Sequence, residues 1–478
     1  MFSAANTQES GRFGRWGVLA GASLLAIVLG LVIAKGGLLA GLGLLGLPVG
    51  IFLFGWLMRH PHAGLHGSIL TGFFSVGLTR YVNAPWGMAM DAFLVLGWLA
   101  FLFRQFRKTD WSPLRHSAMI LALVWFLLVV LELGNPDSNG ALSWLYAMRA
   151  AGLYQLLAFG LTFLLYRERI YLDTFLRWMV VLSVFGTCWG LRQLIFGVDA
   201  AEYRWLYVDG NAITHVLAGK LRVFSFYSDA GQFGASQAMV ALVCGIILSE
   251  GVVKGGEKWL YIAGFVLTFL GFAISGTRGA LAVPVVGALA YLIISRNFKI
   301  LSIGLLVMGL AFYVLKFTFA FENVDQVRRL RTVLNPNEPS LLVRLNNQKI
   351  FAQYLDTRPF GGGIGAAGYW GHRFNPNSLL ANTATDSYYV KVWAETGIVG
   401  ICLHLFLFGF LVGKGGLIVW HLRDPVLRAK IAALYCGMLG VFVANYGNQV
   451  YSQMPTAILL GIAIPLIFIS PNWDMPEP

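Results

Sequence analysis

The stretch "WLYIAGFVLTFLGFAISGTRGALAVPVVGALAYLII" spans residues 259–294 and decides the fold. Two apolar arms flank "SGTRGA" (275–280), where a glycine-bearing turn carries one guanidinium, Arg278. With their flanks the arms run 258–275 and 279–296, and about 18 or more apolar residues suffice to cross the hydrocarbon core of a bilayer. Lipid offers no hydrogen-bond partners, so a spanning segment must be a helix or a strand of a closed barrel. The length of the arms and their Leu, Ala and Gly content select helices. The stretch therefore predicts a membrane hairpin with a charged turn at one face.

Outward from this hairpin the pattern recurs. Hydropathy places further spans near 16–34, 38–57, 63–79, 86–103, 116–134, 149–166, 172–190, 232–250, 299–319, 388–412, 430–449 and 454–471. The expectation is an all-α, polytopic integral membrane protein of about 12–14 transmembrane helices. Composition agrees, since 57% of the 478 residues are hydrophobic and 12% charged, against about 25% charged in a soluble domain.

Lysine and arginine placement sets the orientation, because cytoplasmic segments collect them. With the N-terminus inside, Arg12, Arg15, Arg59, "RQFRKTDWSPLR" (104–115), Arg167, Arg169, Lys254, Lys258, Arg296, Lys299, Lys414, Arg423, Arg428 and Lys430 fall on the cytoplasmic side. The short outer turns hold little beyond Lys35, Arg80 and Arg149. Both termini are then inside. The net charge of +13 is partly a topology signal and requires no nucleic acid.

Two long connections fall outside, 191–231 and about 320–387, and long connections in a bundle are usually functional or disordered. In the second, "SLLVRLNNQKIFAQYL" (340–355) repeats Leu341, Leu342, Leu345, Ile350 and Tyr354 at helical spacing, which predicts a helix lying against the membrane face or the bundle. "DTRPFGGGIG" (356–365) ends it, its glycines forming either a turn or an anion-binding nest. The chain divides into N-terminal helices (1–190), a central region (191–410) containing the outer loop 320–387, and C-terminal helices (411–478). Cys188, Cys244, Cys402 and Cys436 lie in spans without metal-ligand spacing and read as small apolar residues.

Ionisable groups at the outer boundary are the functional candidates. Arg278 opens one span, and Arg222 in "RVFSFYSDAGQFGAS" (222–236) precedes another. Two guanidiniums at neighbouring helix ends can grip a phosphate or diphosphate with permanent charge, or each can snorkel or pair with a carboxylate such as Asp229. In "TDSYYVKVWAETGIVG" (385–400), Asp386 stands before a span, with Glu395 inside it and Lys391 between. A carboxylate there suits a general base toward a hydroxyl, whereas Thr385 or Asp386 could equally cap the helix. Asp91 and Glu132 are candidate structural partners of Arg80 and Arg149.

The order of "RVFSFYSDAGQFGAS", "SGTRGALAVP", an outer loop with "RPFGGGIG" and "TDSYYVKVWAETGIVG" resembles the O-antigen ligase superfamily over roughly residues 200–410. That superfamily includes lipopolysaccharide O-antigen ligases and O-antigen and exopolysaccharide polymerases. The resemblance implies a GT-C-like glycosyltransferase in the bacterial inner membrane, independent of metal and without a cofactor. Its donor would be an undecaprenyl-diphosphate-linked glycan at the periplasmic face. Its acceptor would be a lipid A core sugar or a second lipid-linked glycan. It also implies that Arg222 and Arg278 hold the donor diphosphate. Where the family usually has a histidine that activates the acceptor, this chain has Asp386; His372 in "YWGHRFNPN" is the other candidate base. The competing class is a transporter or flippase for a lipid-linked or anionic solute. Transporters more often show repeated halves and charges near mid-span, whereas here the charges gather at one face.

Overall fold

The computed structural model describes residues 50–105, 109–217, 219–296 and 339–474, with isolated positions elsewhere. Apart from such positions, the spans drafted at 16–34 and 299–319, most of 38–57, and loop residues 320–338 lie outside the described residues. The other spans each coincide with a helix. In chain order these are α1 His62–Leu78, α2 Gly87–Gln105, α3 Ser117–Leu131, α4 Ala141–Leu165, α5 Ile170–Phe196, α6 Ala230–Ser249, α7 Gly255–Ser275 and α8 Ala282–Ile294. The outer-loop helices α9 Pro339–Leu355 and α10 Gly368–Phe374 follow, then α11 Tyr388–His421, α12 Pro425–Ala444 and α13 Thr456–Ile469. Among the described residues, eight helices are long and apolar enough to cross a membrane, and the strands are the two-residue pair β1 Val216–Leu217 and β2 Lys220–Leu221. The chain is an all-α multi-pass membrane protein.

Burial sorts the helices into centre and periphery. The apolar windows of α6, α12 and α13 are 83%, 78% and 83% buried inside the bundle, while that of α3 is 22% buried and faces outward. Between helices in lipid, close approach depends on small residues, because apolar surface gains little by leaving one oily medium for another. Gly234 on α6 sits against Ser275 and Ala280, and Cβ atoms at Gly287 and Gly440 would press on the carbonyls of Cys436 and Val283. Glycine therefore lines the α8–α12 seam and the contact of α6 with the turn between α7 and α8.

Alternating helix directions bring Lys430 to Asp173 (2.5 Å) and Arg169 to Asp424 at one face. At the opposite face Arg149 meets Asp91 at 2.7 Å, as expected from sequence. Glu132 instead accepts from Asn135 Nδ2 at 2.8 Å, and Arg80 engages backbone carbonyls. Cys244 and Cys436 are buried, but Cys188 and Cys402 are exposed on outward helix faces, where lipid suits a small apolar side chain equally well.

The helix expected at 340–355 is present as α9, with a different buried stripe. Phe351 and Leu355 are buried, whereas Leu342, Val343 and Leu345 are exposed. Arg344 lies on the inward stripe, because it has partners there.

Candidate active site at the outer face

Arg222 and Arg278 come from different segments, and Arg222 reaches the hydroxyl of Thr277, the residue before Arg278. Arg222 Nη2 donates to Thr277 Oγ1 at 3.0 Å, and Thr277 in turn donates to the Ala230 carbonyl at 2.9 Å. The residue next to Thr277 is Arg278, at the start of the 3-10 turn Gly279–Leu281 that leads into α8. Arg222 is also pinned from behind, its Nη1 donating to Thr214 O (3.2 Å) and its amide to His215 O (2.8 Å). The fold thus brings Arg222 to the segment that carries Arg278, at one corner of this face. Asp229 does not pair with Arg222. It caps α6, accepting from the Gly231 and Gln232 amides at 2.7 and 2.9 Å, because the free amides of a buried helix start need an acceptor.

A second group closes on this corner through the turn after α12. Gly279 packs against Gly447 with only backbone between them, and the Gly447 carbonyl accepts from Arg344 Nη2 at 3.1 Å. Arg344 Nε lies 4.0 Å from Asp386 Oδ2. Asp386 has φ of 48°, an uncommon left-handed conformation for a non-glycine residue. Neither Thr385 nor Asp386 caps α11. The N-cap is Ser387 without a side-chain cap bond, and the Tyr388 amide donates to Asn445 O at 2.9 Å. Since the α12 terminus supplies that acceptor, the Asp386 carboxylate is left for Arg344, while Thr385 Oγ1 accepts from Gln449 Nε2 at 2.7 Å. Arg344 and the turn Asn445–Gln449 were not singled out from sequence. Their only trace there was a basic residue within the amphipathic stripe of 340–355.

Glu395, Lys391 and His372 stand apart from this arrangement. Glu395 is buried and accepts from the Gly365 amide at 3.2 Å, and its own carbonyl accepts from the Gly363 amide at 2.9 Å. Three of the "GGGIG" amides, those of Gly362, Gly363 and Gly365, are therefore spent on α11, which makes the stretch a turn docked on that helix. Lys391 lies one helical turn before Glu395. His372 is exposed on α10, whose neighbours Trp370 and Phe374 stack on Tyr146. No described contact links His372 to Arg222, Arg344 or Asp386.

Arg80 fixes the segment that carries Arg222. Its guanidinium lies 4.3 Å from the Trp205 ring centroid and 4.4 Å from that of Phe224. It donates to Ser225 O at 2.6 Å and to Tyr227 O. Burial lowers its pKa to about 10, opposed by the nearby Glu202, Tyr81 and Asp229, so it stays charged at neutral pH.

These elements define a multi-pass membrane protein with a cationic, carboxylate-bearing cluster at one face, the face that lysine and arginine placement expects to be outside. Comparison with known proteins adds a partial similarity: residues 263–405 match the family model described as O-antigen ligase. An O-antigen polymerase of Salmonella muenchen is 26% identical over 189 residues, 39% of this chain. That match spans 45% of the relative's own length, so the chain covers less than half of it. The family match contains Thr277, Arg278, Arg344, Asp386 and Glu395; Arg222 precedes it.

Proposed function

We propose that this protein is a membrane glycosyltransferase of the O-antigen ligase and polymerase type, acting at the periplasmic face of the bacterial inner membrane. It transfers a glycan from an undecaprenyl-diphosphate-linked donor to an acceptor hydroxyl, on a lipid A core or on a second lipid-linked glycan. The observation that carries this reading is the junction of Arg222 with Thr277, beside Arg278, on the outer face.

In the proposed reaction the acceptor oxygen attacks the anomeric carbon as the bond from that carbon to the diphosphate oxygen breaks. Negative charge builds on the leaving undecaprenyl diphosphate, where Arg222 and Arg278 stabilise it as fixed donors in a poorly solvated site. The acceptor proton passes to the Asp386 carboxylate, which Arg344 orients. Charge is balanced by guanidinium, so the scheme requires no metal. Glu395 and Asp229 serve the framework, and His372 is the reserve candidate for the base. The central region 191–410 then houses the site, with the flanking helices as its membrane support.

The test uses purified protein with an undecaprenyl-diphosphate-linked oligosaccharide in EDTA, with and without delipidated lipid A core. Release of undecaprenyl diphosphate with glycan on the core identifies a ligase. Lengthening on the carrier identifies a polymerase. Absence of turnover with either acceptor, in EDTA and again with added Mg²⁺, overturns the proposal and favours the transporter class.

A further inference from the structure

The strap between α5 and Arg222 carries an exposed apolar surface that the reaction does not use. The last residues of α5 are turned outward, with Phe196 82% exposed and Ile195 69% exposed, as expected for a helix end in lipid. After Gly197 the chain does not rise away from this level. Glu202, 1% exposed, accepts from Trp189 Nε1 (3.0 Å), Arg192 Nη1 (2.6 Å) and Gln193 Nε2 (2.8 Å). At about 1.5 Å per residue, Trp189 lies about 10 Å back from the end of the helix. The strap is therefore folded down beside the last two turns of α5.

Its two faces differ. Inward, Leu206 and His215 are buried, and Trp205 meets Arg80. Outward, Tyr203, Tyr207, Val208 and Ile213 are exposed, the last two at 73% and 84%. Short helical turns with an apolar outer face and tyrosines at the rim suit the boundary between headgroups and acyl chains. In water the same surface would be exposed at a free-energy cost. Arg204 and Lys220 are exposed on the same strap, as phosphate-facing cations at such a boundary would be.

We propose that the strap Asp199–His215 is docked in the outer leaflet of the membrane, with Val208 and Ile213 in contact with lipid. The occupant of this surface is bilayer lipid, because Asp199 and Glu202 tie the strap beside the lipid-facing end of α5 and the apolar surface continues from there. Through the bonds from Arg222 to Thr214 O and His215 O, docking sets the depth of Arg222 at the level of the lipid phosphates. A diphosphate carried on a membrane-anchored chain arrives at that level. This last step rests on the proposed function; the docking itself does not.

The test uses the full chain with the exposed thiols removed (Cys188→Ala and Cys402→Ala) and one new cysteine, Val208→Cys, Ile213→Cys or Asn377→Cys. Each is labelled with bimane and placed in nanodiscs of phosphatidylethanolamine and phosphatidylglycerol. Signals are referred to the same labelled protein without quencher. Lipids carrying a doxyl group near the headgroup should quench labels at 208 and 213 several-fold more than the label at 377, which iodide in water should quench instead. If all three follow the iodide pattern, the docking proposal fails and the surface awaits a protein partner. In a second arm, Val208→Asp with Ile213→Asp should raise KM for the lipid-linked donor several-fold with kcat kept. An unchanged KM would sever the link from docking to Arg222. If the unsubstituted protein shows no turnover, the functional reading fails while the label depths stand.

Discussion

Two outer segments meet the site, and the balance of side-chain and backbone contacts that holds them differs. The first, Asp199–Asp229, is clipped by charged and polar side chains: Arg80 on the carbonyls of Ser225 and Tyr227, Arg192 on Asp199 and Glu202, and Gln193 Oε1 accepting from the Ser225 amide. The second, Asp356–Asp386, adds to side-chain bonds from Asn135 and Ser143 a close fit of backbone on backbone. Gly362 and Gly363 donate to Ala394 O and Glu395 O at 2.9 Å, Val399 donates to Pro359 O at 3.2 Å, and Gly361 lies against the backbone of Gly397. A buried clip fails when a donor is removed, because its acceptors are left dry and unpaired. A backbone fit fails when any side chain is added.

The largest expected effects fall where the two segments present their chemistry. Arg222→Ala or Arg278→Ala should lower glycan transfer by about 10²–10³-fold, the usual loss when a donor to developing negative charge is removed. Transfer assays beside size-exclusion profiles check this, and near-normal turnover in both variants removes the diphosphate-anchor role. Asp386→Asn should lower kcat by about 10²-fold with donor binding nearly kept; if only His372→Ala does so, the base is the histidine.

Arg80→Ala should lower the thermal midpoint, since each abandoned carbonyl costs about 1–3 kcal/mol. Arg80→Lys should recover part of that, because an ammonium lacks the planar fork. Equal stability of Arg80→Ala and the unsubstituted protein would dissolve the distinction drawn between the two segments. Gly397→Ala should cost about 1–3 kcal/mol from its φ of 63° alone, with further loss from overlap with the Pro359 carbonyl. Unfolding in detergent measures it. The smallest effect belongs to Arg358→Ala, whose pair with Asp137 is more than a third exposed on average; a loss under about 1 kcal/mol is expected.

The helices were legible because hydropathy and length are local properties. Hydropathy places most described spans within about three residues of their helices; α4 begins earlier, at Ala141, α5 and α11 run on to Phe196 and His421, and α12 lies five residues before the expected 430–449. Arg222 and Arg278 were legible as candidates because charge beside an apolar run stands out. What joins them was not. Arg222 reaches Thr277 across 55 residues, Arg344 reaches Gly447 across 103, and Arg80 reaches Tyr227 across 147. No periodicity reports contacts of that separation. The supposed cap at Asp386 failed for the same reason, since the acceptor for the Tyr388 amide comes from Asn445 on another helix.

Gly397 has a mechanical consequence. It breaks α11 into an upper rod, Tyr388–Thr396, and a lower one of 24 residues ending at His421, about 36 Å long at 1.5 Å per residue. The upper rod is tied to Asn445 and to the "GGGIG" turn, while the lower rod spans the hydrocarbon core. A helix meets a thinner or thicker bilayer by changing its tilt. With a break at Gly397, a change of tilt is expected to fall on the rod below Val399, whose amide stays on Pro359 O, sparing the distance between Asp386 and Arg344.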